Sequence, residues 1–524
     1  MHRLLITMCC MVCCWAGYAQ QHNQQQLEKL SQAFHYLNNN YIDDIDLEPL
    51  VAEAIDSALK ELDPHSVYLT RDEFMAMNEG IKGEFSGIGS NFITLRDTVI
   101  ITRTLKSSPS ERAGLKKNDR ILSVNGTSLI GVERDEVVEL LRGKKGSTAT
   151  LSILRNGEII TKDVIRDDIP TSAIGASYMH DGDIAYVRVE SFLSKTTTEE
   201  FRAAIKELKA RPNAIVLDLR GNIGGLLPSA IRFTELFLNR GDVIVTVEGR
   251  KNTTTYEASQ DGKYADIPVV VLIDEHTASA SEIVAGALQD HDRATIVGRR
   301  SYGKGLVQRL VKFKDESGMK ITIARYKTPS GRVIQRPYTN GEREKYIADT
   351  ERYNRRDTTS IPDSLIYTTL KLQRKVYGGG GISPDIYIDA DTTALHPFTK
   401  VVLENNIIEQ VIVNHFDNMP IEEFLSHYPT PKEYGQNFAL NARDIALLKD
   451  LVEEIEPEAV NDSEGLNEII AIITAQVAEE VFGGDLYYKM YGCTRDEAHI
   501  YALDIIEGKL FQKSTLSHIG RNKQ

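Results

Sequence analysis

Two apolar runs constrain this chain more than anything else in it: "AIVLDL" at residues 214–219 and "IPVVVLI" at 267–273. Both are strand-length and bounded by loop signals, and neither alternates with polar residues. Each therefore reads as a strand covered on both faces. Helical patterns surround them. "TTEEFRAAIKELKA" precedes the first run, "LLPSAIRFTELFL" follows it, "SASEIVAGALQD" follows the second, and "ATIVG" comes next as a further strand. This alternation predicts βαβ units and a layered α/β core. In such sheets, sites form at the carboxyl edge, where the strands end. The first run ends in the glycine loop "RGNIGG" and the second in "DEHTASASE".

The flanking regions differ in pattern. Residues 83–160 hold short β-rich runs, one helix ("RDEVVELLRG") and turn signals at Asn125-Gly126 and Asn156-Gly157, which predict a small barrel or sandwich. "DDIPTSAIG" reads as the linker into the core, and as a hinge. Before the β-rich segment, Leu27, Leu30, Phe34 and Leu37 keep helical spacing, a second helix runs through "LEPLVAEAIDSALKEL", and "LDPHSVYLT" closes it. After "GGGGISPDIYID" the chain reads as mostly helical to its end. The start is basic, then apolar, then small-residued ("MHR", "LLITMCCMVCCW", "AGYAQ"), the pattern of a secretory signal peptide cleaved after Ala19. A lipid anchor is the rival, but Val12 before Cys13 and Met8 before Cys9 are poor lipidation flanks. Cleavage removes Trp15 and four of the five cysteines, leaving Cys493 and no internal disulfide. A formal net charge of −14 without a basic stripe argues against nucleic acid as a partner.

The serines of "TASASE" read two ways. Ser279 with Glu282 fits a helix capping box ahead of Ile283, Val284, Ala287 and Leu288. The same placement suits a nucleophile. The Ala280 N–H at the helix start can face an oxyanion, and Gly224 or Gly225 of the glycine loop can supply a second donor. A serine needs a base. His276 and His291 flank elements and read as exposed polar residues. Lys304 in "SYGKG" follows the next strand and returns to the same sheet edge. It acts as a base only if burial removes its charge. Gln308, four residues on, can orient its amine.

"TASASEIVAGALQDHDRATIVGRRSYGKGLVQ" closely resembles the active-site region of the C-terminal processing proteases, serine peptidases with a Ser–Lys dyad. The resemblance implies that Ser279 is the nucleophile, Lys304 the base at the family spacing, and Gln308 the glutamine that bonds the lysine. "LDLRGNIGG" is similar to the family's glycine loop, with Ile223 in place of its usual proline. "YKTPSGRVIQ", "GGGGISPDIYI" and "LDPHSVYL" are further family stretches. "FSGIGSNF" followed by "SPSERAGLKKNDRILSVNGTSL" resembles a PDZ domain, which implies that backbone N–H groups of Ser86, Gly87, Ile88 and Gly89 hold a substrate's terminal carboxylate.

The implied architecture is a multidomain α+β chain: a signal peptide at 1–19, a helical region at 20–78, a PDZ domain at 79–168, a crotonase- and Clp-protease-like α/β protease core at 169–390, and a mostly helical region at 391–524. The implied function is an exported, periplasmic serine endopeptidase acting on proteins with free C-termini. A homo-oligomer through the helical regions and an activating adaptor protein are the other expected partners. With no H-E-x-x-H and no cysteine cluster, neither a metal nor a cofactor is called for. Two other classes share the architecture: a PDZ adaptor with a dead core, which would have lost Ser279, Lys304 or Gln308, and an acyl-coenzyme A enzyme, whose cytoplasmic cofactor conflicts with a signal peptide.

Overall fold

The computed structural model describes residues 23–508 apart from 83, 96, 106, 171, 349–360, 389–395, 420 and 484; the expected signal peptide lies outside these. The chain is a mixed α+β protein. Its centre is a six-stranded sheet in the order Ile174–His180, Ile184–Val189, Ala214–Asp218, Val269–Ile273, Thr295–Gly298, Ile386–Tyr387. The first pair is antiparallel and every later pair is parallel. The two apolar runs supply adjacent strands, and every residue of Ala214–Asp218 and Val269–Ile273 is buried, as uniform apolarity demands.

The sheet's two faces are covered by different parts of the chain. Helices Thr197–Glu207, Leu227–Thr234 and Ala280–Asp290 cover one, with Phe201, Phe233 and Val284 packed against Val187, Leu217 and Val271. The other face takes Ala498, Ala502 and Leu503 of helix Glu497–Ile506, which meet Tyr186, Val216 and Leu272. Asp496, just before that helix, pairs with Arg220 at 2.7 Å. The helical C-terminal part is thus the second layer of the core, and four of its helices, Pro397–Glu404, Ile407–Asn418, Ala442–Ile455 and Ser463–Phe482, share a separate core.

An antiparallel sheet lies beside the central one. Val67–Leu69, from "LDPHSVYLT", pairs with Gly318–Lys327, which also pairs with Val243–Gly249 and with the hairpin strand Leu306–Lys312. The N-terminal part is therefore stitched into the structure beside Lys304's chain segment.

The β-rich segment forms an antiparallel sheet, Ser90–Leu95, Thr98–Thr104, Arg120–Val124, Thr148–Arg155, Glu158–Ile165, turning at both expected Asn-Gly pairs and closed by helix Arg134–Leu141, whose Val137 joins Val99, Ile121 and Leu151 in one core. The expected linker is not a free tether. Asp167–Pro170 pairs with Glu84–Gly87, so the entry and exit of the segment zip together. The segment also leans on the C-terminal helices through Lys117–Glu480 (2.7 Å) and Arg120–Asp417 (2.8 Å). Among the described residues, no helix is long and apolar enough to cross a membrane.

Candidate active site

Three neighbouring parallel strands deliver the candidate residues to one edge. Val269–Ile273 leads to Ser279, Ala214–Asp218 to the glycine loop, and Thr295–Gly298 to Lys304. The first two loops are fastened together through backbone groups. The Asp274 carboxylate accepts the Gly221 N–H (3.0 Å), the Asn222 carbonyl accepts the Ala278 N–H (3.0 Å), and the Thr277 hydroxyl donates to the Leu219 carbonyl (2.9 Å).

Ser279 caps helix Ala280–Asp290 with φ +56° and ψ −113°. A side chain at such a φ costs about 1–3 kcal/mol and persists only where its surroundings hold it. Half of the capping box does so: the Glu282 carboxylate accepts the Ser279 N–H at 2.8 Å. The Glu282 N–H turns to the Ser279 carbonyl (3.0 Å) and leaves the serine hydroxyl without a cap hydrogen bond. Ser281 is different. Its hydroxyl is buried and donates to the Asn222 carbonyl at 3.0 Å, which commits it to structure.

The glycine loop passes over this serine. A Cβ on Gly224, which sits at φ +98°, would lie 2.6 Å from the Ala278 carbonyl oxygen and 2.8 Å from the Ala280 nitrogen, so only glycine fits. The Gly224 N–H, however, donates to Asn222 Oδ1 at 2.9 Å. Gly224 supplies close approach, and its N–H is not available as an oxyanion donor in this arrangement. The neighbouring backbone bonds to Phe192 use the Gly224 carbonyl and the Leu226 N–H, and the Gly225 N–H has no partner among the described residues. The Ala280 N–H, at the first helical position, is free in the same sense. Ile223 is 71% exposed, so the residue in place of the family's proline points to solvent.

The surroundings of Lys304 act in the direction that a base needs. Its amine makes no hydrogen bond or ion pair with any described residue. Burial first, and the Lys320 ammonium second, push its pKa down to about 8, against the opposing pull of Glu282 and Asp63. The histidines stay outside this site. His276 is 70% exposed, as expected, but His291 is buried at the far end of the helix, bonded to the Val243 carbonyl at 2.7 Å. Gln308 departs from expectation: its amide donates to the His65 carbonyl at 2.7 Å rather than bonding Lys304. His65 itself bonds the Tyr346 hydroxyl (3.1 Å), and burial, with Lys304 next, pushes its pKa down to about 3, so it stays neutral.

Comparison with known proteins matches residues 183–341 to peptidase family S41, 77–154 to the PDZ domain and 15–73 to the activating protease CtpB N-terminal domain. A probable CtpA-like serine protease of Staphylococcus epidermidis is 34% identical over 344 residues, covering 65% of this chain and 69% of that protein. The chain belongs to the C-terminal processing proteases of peptidase family S41. A probable CtpA-like serine protease of Staphylococcus aureus (strain COL) is 35% identical over 334 residues, 63% of this chain and 66% of that protein's length. Among solved structures, a photosystem II D1 C-terminal processing protease is 27% identical, with 70% of this chain and 88% of that chain covered and a TM-score of 0.38.

The loop expected to hold a terminal carboxylate lies in the segment matched to the PDZ domain. Ser86 and Gly87 lie in the strand paired with Asp167–Pro170, while Ile88 and Gly89 form the loop that follows. The carbonyls of Ile88 and Gly89 accept the N–H groups of Ser110 (2.8 Å) and Leu105 (3.0 Å), and their own N–H groups have no partner among the described residues. The next strand, Ser90–Leu95, is the sheet's edge. Three residues at the S41 site escaped the sequence reading. His65 and Lys320 arrive from the second sheet, whose pairing no local pattern revealed. Glu282 was visible, but only as a helix cap. His180, Asp181 and Glu507, which lie close enough together to share a metal ion, sit at the opposite, amino-terminal edge of the central sheet.

Proposed function

We propose that this chain is an exported serine endopeptidase that grips protein C-terminal tails through its PDZ domain and cuts near them with a Ser279–Lys304 dyad. One observation carries the reading: Ser279 and Lys304 bind the same carboxylate oxygen of Glu282 through their backbone N–H groups, at 2.8 and 2.9 Å, and Lys304's amine is buried beside them without a partner. In the proposed reaction the neutral amine takes the Ser279 hydroxyl proton as the oxygen attacks the scissile carbonyl. The Ala280 and Gly225 N–H groups receive the oxyanion. The Lys304 ammonium then returns the proton to the leaving amine, and water releases the acyl group by the reverse route. No step calls for a metal or cofactor. Gln308 takes up its place beside the lysine by leaving the His65 carbonyl.

The units proposed for this work are the PDZ domain at 79–168, the protease core at 169–390, and the helical regions at 20–78 and 391–524. The tail's carboxylate goes to the segment Ser86, Gly87, Ile88 and Gly89, where the Ile88 and Gly89 N–H groups have no partner among the described residues, and its backbone adds to the free edge of Ser90–Leu95. Exposed Leu27, Leu30 and Tyr36 on the first helix, with Ile42 in the bend after it, favour a homo-oligomer, and the ion pairs from the PDZ domain to the C-terminal helices give an adaptor something to displace. Export rests on the leader pattern of residues 1–19. The test is one peptide made with a free and with an amidated C-terminus. The free acid should be cleaved faster by wild type, and neither form should be cleaved by Ser279→Ala. Equal rates for acid and amide would remove tail recognition from the reading.

A further inference from the structure

Ser279 and Lys304 stand on separate loops, 25 residues apart in sequence, and a proton passes between them only if both loops keep their places. Two buried side chains span the gap from opposite sides. Glu282 is the first. Its Oε2 accepts the N–H groups of Ser279 (2.8 Å) and Lys304 (2.9 Å), and its Oε1 accepts the Gly303 N–H (2.7 Å) and the Ser301 hydroxyl (2.5 Å). Tyr326 is the second. Its hydroxyl lies 3.0 Å from the Ser279 carbonyl oxygen and 2.7 Å from the Lys304 carbonyl oxygen. A carboxylate thus gathers the two residues' N–H groups while a phenol gathers their carbonyls. Glu282 and Tyr326 are both almost fully buried.

We infer that Glu282 and Tyr326 are positioning residues that clamp the peptide units of Ser279 and Lys304 in register, an inference that rests on the Ser279–Lys304 reading and adds to it the parts that hold the dyad together. The pairing is specific to chemistry as well as to place. Both N–H groups find their acceptor in one carboxylate oxygen with two lone-pair directions, and the Lys304 carbonyl finds its donor in a hydroxyl proton shared with the Ser279 carbonyl, which also accepts the Glu282 and Ile283 N–H groups. Ser279's positive φ is maintained in this way from both ends of its own residue. A helix cap alone accounts for the Ser279 N–H. It does not account for the reach of the same carboxylate to Gly303 and Lys304, or for Tyr326.

The test uses the full-length protein with Tyr326→Phe, which removes one oxygen and keeps the ring, and Glu282→Gln, whose NH2 must face either the Ser279 and Lys304 N–H groups or the Gly303 N–H and the Ser301 hydroxyl. Turnover of an unfolded protein substrate and the rate of Ser279 labelling by a fluorophosphonate are followed against pH. Tyr326→Phe should lower kcat by about 10-fold with KM within about twofold of wild type and the pH limb in place. Glu282→Gln should lower kcat on the order of 100-fold. It should also move the limb to lower pH, because the carboxylate that favours the Lys304 ammonium is gone. A merely structural glutamate would leave the limb where it is. Wild-type kcat and labelling rate in Tyr326→Phe would overturn the inference, and that variant decides the matter if Glu282→Gln does not fold. Should wild-type Ser279 fail to label at all, the dyad reading fails separately. Hydrogen exchange in peptides spanning residues 279 and 304 then judges the clamp: faster exchange in Tyr326→Phe sustains it, and unchanged exchange overturns it.

Discussion

The Ser279 side and the Lys304 side of the site are built differently. Around Ser279 and the glycine loop, backbone and side-chain groups are committed: Asn222, Asp274, Thr277, Ser281 and Glu282 hold the loops to one another at 2.8–3.1 Å. On the Lys304 side only the backbone is fixed. The amine has no partner among the described residues, and Gln308 is engaged with the N-terminal segment at His65. In the proposed dyad, attack geometry is thus preset, while the proton acceptor is buried at a cost and awaits its second partner. A site of this form is held ready at the nucleophile and adjustable at the base, and the base side is where the N-terminal region, through His65, reaches it.

The largest effects should fall on both sides alike. Ser279→Ala and Lys304→Ala should each lower turnover of an unfolded substrate by at least about 1,000-fold with the fold intact, whereas Ser281→Ala should keep most activity. Comparable loss in Ser281→Ala, with native stability, would reverse the assignment of the two serines. The fixed side should tolerate nothing at Gly224. Gly224→Ala pushes a methyl against the Ala278 carbonyl and the Ala280 N–H, and a displaced oxyanion donor costs about 100-fold in kcat. The adjustable side should respond more mildly. Gln308→Ala should lower kcat by about 10-fold if its amide orients the lysine during turnover. An unchanged kcat would mean that Gln308 serves only as the anchor of His65, and the comparison would lose its meaning.

The same contrast explains what the sequence disclosed. The central strands were legible because burial on both faces leaves a near-continuous apolar run, and "AIVLDL" and "IPVVVLI" place the glycine loop and Ser279 on one sheet edge. Ser279 and Lys304 were named by motif and spacing. One face of the sheet was legible too, since its helices are the crossovers between those strands. The other face was not. Ala498, Ala502 and Leu503 come from the far C-terminal part, and their small-residue spacing says only that something packs there, not what. Gln308 was expected at Lys304 and is found at His65, because the strand pairing Val67 with Lys320 is set by long-range packing that leaves no local mark. "DDIPTSAIG" read as a hinge from its composition, and half of it is a strand whose partner begins some 80 residues earlier.

Lys304's lowered pKa gives two pH tests of the adjustable side. In catalysis, kcat/KM should rise through a single ionisation near pH 8 as the ammonium loses its proton. A limb near the usual lysine value would mean that substrate binding, not burial, prepares the base.

The smallest effect concerns stability, and its sign is opposite to that of the activity changes. In the folded chain Lys304 loses its proton near pH 8, against about 10.5 when unfolded. Between these values the unfolded chain holds a proton that the folded chain does not, so stability rises as pH rises through that window. Below pH 8 the folded state bears the full cost of the buried ammonium, up to about 3 kcal/mol. Lys304→Met keeps the apolar stem and removes the charge. It should therefore be inactive and yet more stable than wild type at pH 7 by as much as about 3 kcal/mol, with the gain fading toward pH 10. Denaturant unfolding of the two proteins at both pH values reads this directly, because titrating groups remote from Lys304 cancel in the difference. A gain that did not depend on pH would reflect better packing by methionine. A loss at pH 7 would show that the ammonium is stabilised where it lies, and the Lys304 side would then be as firmly held as the Ser279 side.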